Sequence, residues 1–148
     1  MGVNHIRAMY ALYIGKRQNE EGSVPTIYIG GVGKADVKRL LEKRRDPKLK
    51  FVVSNDLEAG SILKRTPASY YIGTCHTGAG GALGAMLVFL GRQRCHTFGR
   101  RARINAIEVQ ELLNSGIRAF GLSVDQIHVV VPVLVDAIQA CQPEGEDS

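Results

Sequence analysis

From residue 26 onward the chain alternates between two hydrophobic periods. Short runs rich in β-branched and aromatic residues, typical of buried strands, are each followed by apolar residues at helical spacing. The runs that predict strands are 26–30, 50–54, 69–73, 94–98 and 117–122. Helices are predicted at about 35–45, from Asn55 to before Pro67, at 82–90, from Asn105 to before Gly116, and after Ser123.

Two of these helices begin with a capping box, in which an N-cap side chain and a later glutamate satisfy exposed backbone amides. The pairs are Asn55 with Glu58 and Asn105 with Glu108. The last helix contains Pro132, which removes one helical hydrogen bond. We predict a helix there, and a sixth strand at 129–135 is the alternative.

Five strand–helix pairs in strict alternation predict an α/β domain. We expect a doubly wound, five-stranded, mostly parallel sheet with helices on both faces. The expected strand order is the flavodoxin-like 2-1-3-4-5. The domain is predicted to span residues 26–142, after an irregular N-terminal extension at 1–25 and before an acidic, frayed tail at 143–148.

Composition narrows the class of protein. Of the 148 residues 45% are hydrophobic and 22% are charged, as in a globular domain rather than a disordered chain. Three cysteines without framework spacing argue against a disulfide scaffold, and the apolar runs are too short to span a bilayer. We therefore expect a cytoplasmic protein. The net charge is +5, with basic clusters at 38–50 and 92–103. The nearby aromatic residues Phe51 and Phe98 lie in predicted strands and are poor candidates for stacking on bases, so no nucleic acid is expected as a partner.

The glycine-rich turn at 73–81 carries the strongest chemical signal. It joins a predicted strand to a predicted helix, so its amides can form a concave site for phosphate or carboxylate. No Gly-Lys-Ser/Thr follows, which excludes a Walker A loop. The alternative is a tight turn that only packs the helix on the sheet. The predicted ligand-binding residues here are Thr74, Cys75, His76, Thr77, Gly78, Ala79, Gly80 and Gly81.

Two further turns are expected at the same edge of the sheet. Strands 1 and 3 are neighbours in the predicted order, so Gly30 and Gly31 would face the glycine-rich turn across a crevice. Asn55 and Asp56 follow strand 2 and join the predicted ligand-binding residues, with an N-cap role as the alternative.

Cys75 is the candidate catalytic residue. A thiol near a helix N-terminus loses its proton more readily, and the thiolate is the form that acts as nucleophile or base. A small buried apolar role is the alternative. His76 is a weaker candidate, as a proton carrier or an anion contact. A second Cys-His pair begins at Cys95, but we expect Cys75 and Cys95 to lie a strand length apart, so neither a metal site nor any other cofactor is predicted.

Three blocks carry a family resemblance: SNDLEA at 54–59, YYIGTCHTGAGGAL at 70–83 and AFGLS at 119–123. They resemble the YhfU-like family of small bacterial proteins of unknown function. That resemblance implies metabolite handling and a membrane transporter as a partner, because the family is associated with operons for transport and metabolism.

The segment CHTGAG at 75–80 is also similar to a loop of the type B ribose-5-phosphate isomerases. In that family the cysteine is the enolising base and the loop amides hold the enediolate. The Asp-His pair expected at strand 1 is replaced here by Gly30, Gly31 and Val32.

The function predicted first is a module that binds a small anionic metabolite, phosphorylated or carboxylated, for a transport or catabolic system. A sugar-phosphate isomerase-type enzyme with Cys75 as general base is the first alternative. The second is a subunit of a transport complex, and a homo-oligomer is left open.

Overall fold

A computed structural model describes residues 24–77, 81–100 and 103–141. They form one five-stranded, all-parallel sheet of order β2-β1-β3-β5-β4. The predicted doubly wound α/β fold is confirmed. The strands are β1 (Thr26–Gly31), β2 (Lys50–Val53), β3 (Ser69–Cys75), β4 (Cys95–Thr97) and β5 (Ala119–Ser123).

A helix follows each strand. The helices are α1 (Lys34–Lys43), α2 (Asp56–Arg65), α3 (Gly84–Leu90), α4 (Ala106–Asn114) and α5 (Ile127–Ala140). Short 3₁₀ turns at Gly81–Leu83 and Val124–Gln126 lead into α3 and α5. The segment 129–135 lies inside α5 despite Pro132, so the helix was the right interpretation there.

The capping residues lie where the sequence placed them. Asn55 accepts a hydrogen bond from the Glu58 amide at 2.8 Å, and Asn105 accepts from the Ile107 amide at 2.8 Å. Ser123 precedes the turn into α5 as its N-cap. These contacts satisfy amides that a helix start leaves without a partner.

The helices divide three to two between the faces of the sheet. The larger core holds apolar residues of α1, α4 and α5, and the smaller core holds those of α2 and α3. Right-handed crossovers require this division. The two connections that run leftward in the strand order, β1 to β2 and β4 to β5, carry helices on one face. The two connections that run rightward, β2 to β3 and β3 to β4, carry their helices on the other face.

The last two strands are exchanged relative to the expected order, because β5 lies between β3 and β4. All five residues of β5 are buried, whereas the three residues of β4 are each half-buried. A strand covered on both faces and both edges suits the centre of the sheet, and a short, partly polar strand suits its edge.

Most residues of the two predicted terminal segments lie outside the part of the chain that the structure describes. Of residues 1–25 only 24 and 25 are described, and the predicted tail at 143–148 lies outside the described residues. Within the described part, no helix is both long and apolar enough to cross a membrane.

Candidate functional site

The carboxyl ends of β1 and β3 meet at the point where the sheet reverses its winding. From β1 the chain turns toward β2, and from β3 it turns toward β4. Gly30 is paired with Gly73, and Gly31 is paired with Thr74. The β1–α1 and β3–α3 turns are therefore side by side, at the position where open α/β sheets bind ligands.

Thr74 holds these two turns together. Its buried hydroxyl oxygen accepts a hydrogen bond from the Gly33 amide at 2.7 Å, and it lies 3.4 Å from the Gly30 carbonyl oxygen, to which it donates. The Thr74 carbonyl accepts from the Val32 amide at 3.0 Å. Thr74 was predicted as a ligand contact, and the structure places its side chain in the internal bonding of the fold.

Gly30 and Gly31 face protein atoms at close range. A Cβ on Gly30 would lie 2.4 Å from the hydroxyl oxygen of Tyr71, and one on Gly31 would lie 2.1 Å from the Thr74 carbonyl oxygen. Gly31 also has a φ of 90°, which disfavours any other residue. Internal packing is therefore enough to explain why these two positions require glycine, with or without a ligand.

Cys75 is the last residue of β3, two residues beyond the predicted end of the strand at 73. The extension exists because β3 is paired on both sides, with Thr74 against Gly31 of β1 and Cys75 against Ser123 of β5. Thr74 and Cys75 thus belong to the sheet rather than to the turn. The Cys75 side chain is half-buried at the carboxyl edge.

The exposed part of the turn begins after Cys75. His76 and Thr77 are exposed, and Gly81 is exposed at the other end. The predicted contacts Gly78, Ala79 and Gly80 lie outside the described residues. A Cβ added to Gly81 or to Gly84 would meet no atom within 4 Å. Gly81, the last residue of the turn, therefore has room for a side chain.

Asn55 and Asp56 lie at the start of α2, on the same edge of the sheet. The Asn55 side chain is engaged as the cap, and Ser54 donates to a Glu58 carboxylate oxygen at 3.2 Å. Asp56 is exposed in the first turn of α2. The N-cap interpretation of Asn55 is confirmed.

A polar network at the β5–α5 turn was not predicted beyond a cap at Ser123. The Ser123 hydroxyl donates to a carboxylate oxygen of Asp125, and Arg100 donates to the other at 3.2 Å. The hydrogen bond from Ser123 and then the Arg100 bond hold the pKa of Asp125 below its usual value. Gln126 donates to the Gly99 carbonyl at 2.9 Å and so ties the β4–α4 loop to this turn. The sequence did contain a signal for this network, namely a serine directly after a buried strand, followed closely by Asp and Gln.

A groove of about 500 Å³ lies between β4 and α4, and sequence reasoning missed it. Its lining includes the apolar residues Phe98 and Val109 and the polar residues His96 and Glu108. Burial lowers the pKa of His96, which favours the neutral imidazole. No sequence motif marked this groove, because its residues are brought together only by the edge position of β4.

Cys75 and Cys95 are well separated. Cys75 is level with Ser123 and Cys95 is level with Ala119, so they differ by four residues along β5, or roughly 13 Å. Among the residues the structure describes, no cluster of His, Cys, Asp and Glu has the geometry of a metal site.

Comparison with known proteins identifies the family. The family model described as "Protein of unknown function DUF2620" matches residues 25–138. The chain belongs to this family. Relatives include the "Uncharacterized protein YhfU" of Escherichia coli K12 and that of Shigella flexneri, each 27% identical over 114 residues, or 76% of this chain and 97% of the relative. The resemblance to YhfU-like proteins is thus confirmed. No solved structure matches the DUF2620 chain.

Proposed function

We propose that this DUF2620 protein binds a small anionic metabolite, phosphorylated or carboxylated, at the turn 76–81. The proposal rests on one observation above all: His76, Thr77 and Gly81 are exposed, and Gly81 has room for a side chain, at the point where the sheet reverses its winding. Doubly wound sheets bind ligands outside the carboxyl ends of their strands at this position.

The chemistry of the turn suits an anion. Backbone amides in a glycine-rich segment can converge on an oxygen without side chains in the way. The exposed side chain of His76 adds a donor beside them. Because Thr74 and Cys75 are strand residues, the amide donors are assigned to 76–81 rather than to the whole of 74–81. A net charge of +5 favours the approach of anions.

The test is a thermal-shift screen of phosphosugars and carboxylates with a charge-reversal variant. A ligand at a hundred times its Kd stabilises the folded state by about 2.7 kcal/mol. Gly81→Asp adds a negative charge where a side chain has room, so we expect ligand affinity to fall at least about fivefold, since like charges at contact cost about 1 kcal/mol even in water.

Gly81→Asn is the matched control, with nearly the same shape and no charge. It should bind like the wild type. If no anion stabilises the wild type, or if the Asp and Asn variants bind equally well, the proposed site is wrong.

Catalysis by Cys75 is a second proposal. The observation that favours it is the position of this half-buried thiol at the end of the central strand, level with Ser123 and next to the exposed turn. In this role Cys75 would take a proton next to a carbonyl group, and the amides would stabilise the oxyanion. Cys75→Ser should abolish isomerisation of a sugar phosphate and leave ligand-induced stabilisation nearly intact. Absence of turnover by the wild type across the substrates that bind would reject the enzyme.

A role as a subunit of a transport system has its own support in α3. Leu87 is 43% exposed and Val88 is 83% exposed at adjacent positions on this helix, so both apolar side chains are available for contact with a partner. We propose that α3 contacts a second subunit, with a membrane transporter as the partner and the cytoplasm as the location. Val88→Lys should abolish co-purification with the transporter and leave the fold intact. Retained association would reject this contact, and fractionation of cells would test the location.

A further inference from the structure

The strand β2 forms one edge of the sheet and exposes apolar side chains there. It pairs with β1 on one side, and no described residue pairs with its other side. Val52 is 46% exposed and Val53 is 37% exposed. An open edge is a template for another strand, and proteins commonly block it with charged residues or proline. The segment 51–53 contains neither, so this edge is open to pairing.

The backbone groups that face outward from β2 follow from its bonding to β1. The Ser54 amide donates to the Ile29 carbonyl of β1 at 2.9 Å. Successive residues of a strand direct their amide and carbonyl groups to opposite sides, so Val52 also bonds toward β1. Phe51 and Val53 therefore direct their N–H and C=O groups away from β1, toward the open edge.

A second copy of β2 fits this edge in the antiparallel orientation. With Val52 on a two-fold axis, Phe51 of each copy lies opposite Val53 of the other, and such a pair exchanges both of its N–H···O bonds. The exposed Lys48 is four residues before Val52, and the exposed Asp56 is four residues after it. Opposite charges from the two copies therefore come to the same level along the paired strands, which is favourable. The segment is complementary to itself in hydrogen bonds, in apolar contacts and in charge.

The other open edge of the sheet, at β4, lacks this complementarity. Arg92 and Arg94 precede the strand, and Arg100 follows it, so both of its flanks are basic. Antiparallel pairing of two β4 strands would bring like charges together, which is unfavourable. We propose that two copies of this chain associate through β2, and that the sheet continues across a two-fold axis at Val52.

The first experiment measures association by analytical ultracentrifugation of the wild type and of Val53→Pro. The contact between two short strands is small, so we expect a dissociation constant in about the micromolar range. Proline removes the outward N–H group of residue 53 but no bond to β1, and edge strands tolerate proline at such a position. The dissociation constant should rise at least about tenfold, because a hydrogen bond is lost in each half of the symmetric contact. Val53→Thr keeps the amide and the shape of the side chain, and this control should associate like the wild type.

The second experiment tests the orientation of the two strands by charge reversal. Lys48→Glu should weaken association at least about fivefold at low salt, because each reversed charge acts twice in a symmetric dimer. Adding Asp56→Lys should restore the affinity, since the double variant has the same charge pairs in exchanged positions. A parallel arrangement would not give this rescue, because it does not bring residues 48 and 56 of different copies together.

The third experiment tests the register by oxidation of Val52→Cys. Opposed residues of a non-hydrogen-bonded antiparallel pair have Cα atoms roughly 4.5 Å apart, which a disulfide can span. A dimer linked through residue 52 should form and be identified by mass spectrometry. Val53→Cys is the control from the same strand, and it should crosslink much more slowly because residue 53 lies opposite residue 51.

Several results would overturn the inference. A wild type that stays monomeric at about a hundred micromolar has no such interface. A dimer that Val53→Pro leaves intact, or one that crosslinks no faster at residue 52 than at residue 53, uses another surface. Circular dichroism should show the same folded spectrum for every variant, and if Val53→Pro unfolds the chain, the open edge assigned to the Val53 amide is wrong.

Discussion

The hydroxyl group of Thr74 should contribute more to stability than its methyl group. Thr74→Val keeps the shape of the side chain but leaves the buried Gly33 amide without its acceptor at 2.7 Å. An unsatisfied buried donor costs about 1–3 kcal/mol. The second bond, to the Gly30 carbonyl, is long at 3.4 Å and adds little. We expect the free energy of unfolding to fall by about 2 kcal/mol.

Thr74→Ser is the control that gives this prediction its sign. Serine keeps the hydroxyl group and removes one methyl group, which should cost about 1 kcal/mol. Urea denaturation followed by circular dichroism measures both variants, and an unchanged m-value shows that stability alone has changed. The predicted order of stability is wild type, then Ser, then Val.

A packing account predicts the opposite order, because valine is nearly isosteric with threonine and serine is not. If Thr74→Val is as stable as the wild type and Thr74→Ser is less stable, the hydroxyl group does not hold the two turns together. The bonding assigned to Thr74 would then be refuted.

Three other changes have equally definite outcomes. Arg118→Ala should lower the free energy of unfolding by about 3 kcal/mol in urea titration, because the half-buried guanidinium donates three hydrogen bonds to the segment that precedes and begins β3. A loss below about 1 kcal/mol would contradict this. Gly60→Ala should lower the free energy of unfolding by about 1–3 kcal/mol in the same assay, because the new methyl group would lie 2.3 Å from a ring carbon of Phe89. Adding Phe89→Leu should recover part of this loss. The carboxyl group of Asp125 should titrate below its ordinary pKa of 3.8 in NMR, and Ser123→Ala should raise that pKa. Because the pKa of Asp125 is lowered in the folded state, any stability that its ionised form contributes is present above the unfolded-state pKa. That stability is lost as the pH falls through the folded-state pKa. An ordinary pKa for Asp125 in the wild type would exclude the hydrogen bond from Ser123.

The sequence predicted the fold wherever local signals and tertiary packing agree. Asn55 and Asn105 cap helices in the structure because a short polar side chain before an apolar helix satisfies its first amides. The helix at 127–140 forms despite Pro132 because its apolar face is buried against the sheet. Burial of this face outweighs one lost hydrogen bond.

Strand order and strand ends depend on contacts that no local pattern contains. β5 lies inside the sheet because it can be covered on all sides, and β4 lies at the edge because it cannot. The sequence held a signal for this difference: β5 carries the apolar Phe120 and Leu122, whereas β4 carries the more polar His96 and Thr97. The end of β3 was placed too early because Gly73 disfavours strands locally. In the structure it makes room for the Tyr71 ring.

The candidate site could be located from sequence but not divided into its parts. The glycine-rich turn and its position beside the β1–α1 turn followed from the pattern of strands and helices. The internal roles of Thr74, Gly30 and Gly31 did not, because each depends on an atom in a neighbouring strand or turn. The closeness of the Tyr71 hydroxyl group to Gly30 likewise depends on β1 and β3 lying side by side.

Binding of an anion at the turn is tested most directly by amide chemical-shift mapping of isotope-labelled protein during a titration with phosphate or with a phosphosugar. The largest saturable shifts should fall on the amides of 76–81, with smaller ones at Gly31 and at the start of α2. Shifts centred instead on the β4–α4 groove around His96 and Glu108, or shifts that never saturate, would contradict the proposed site.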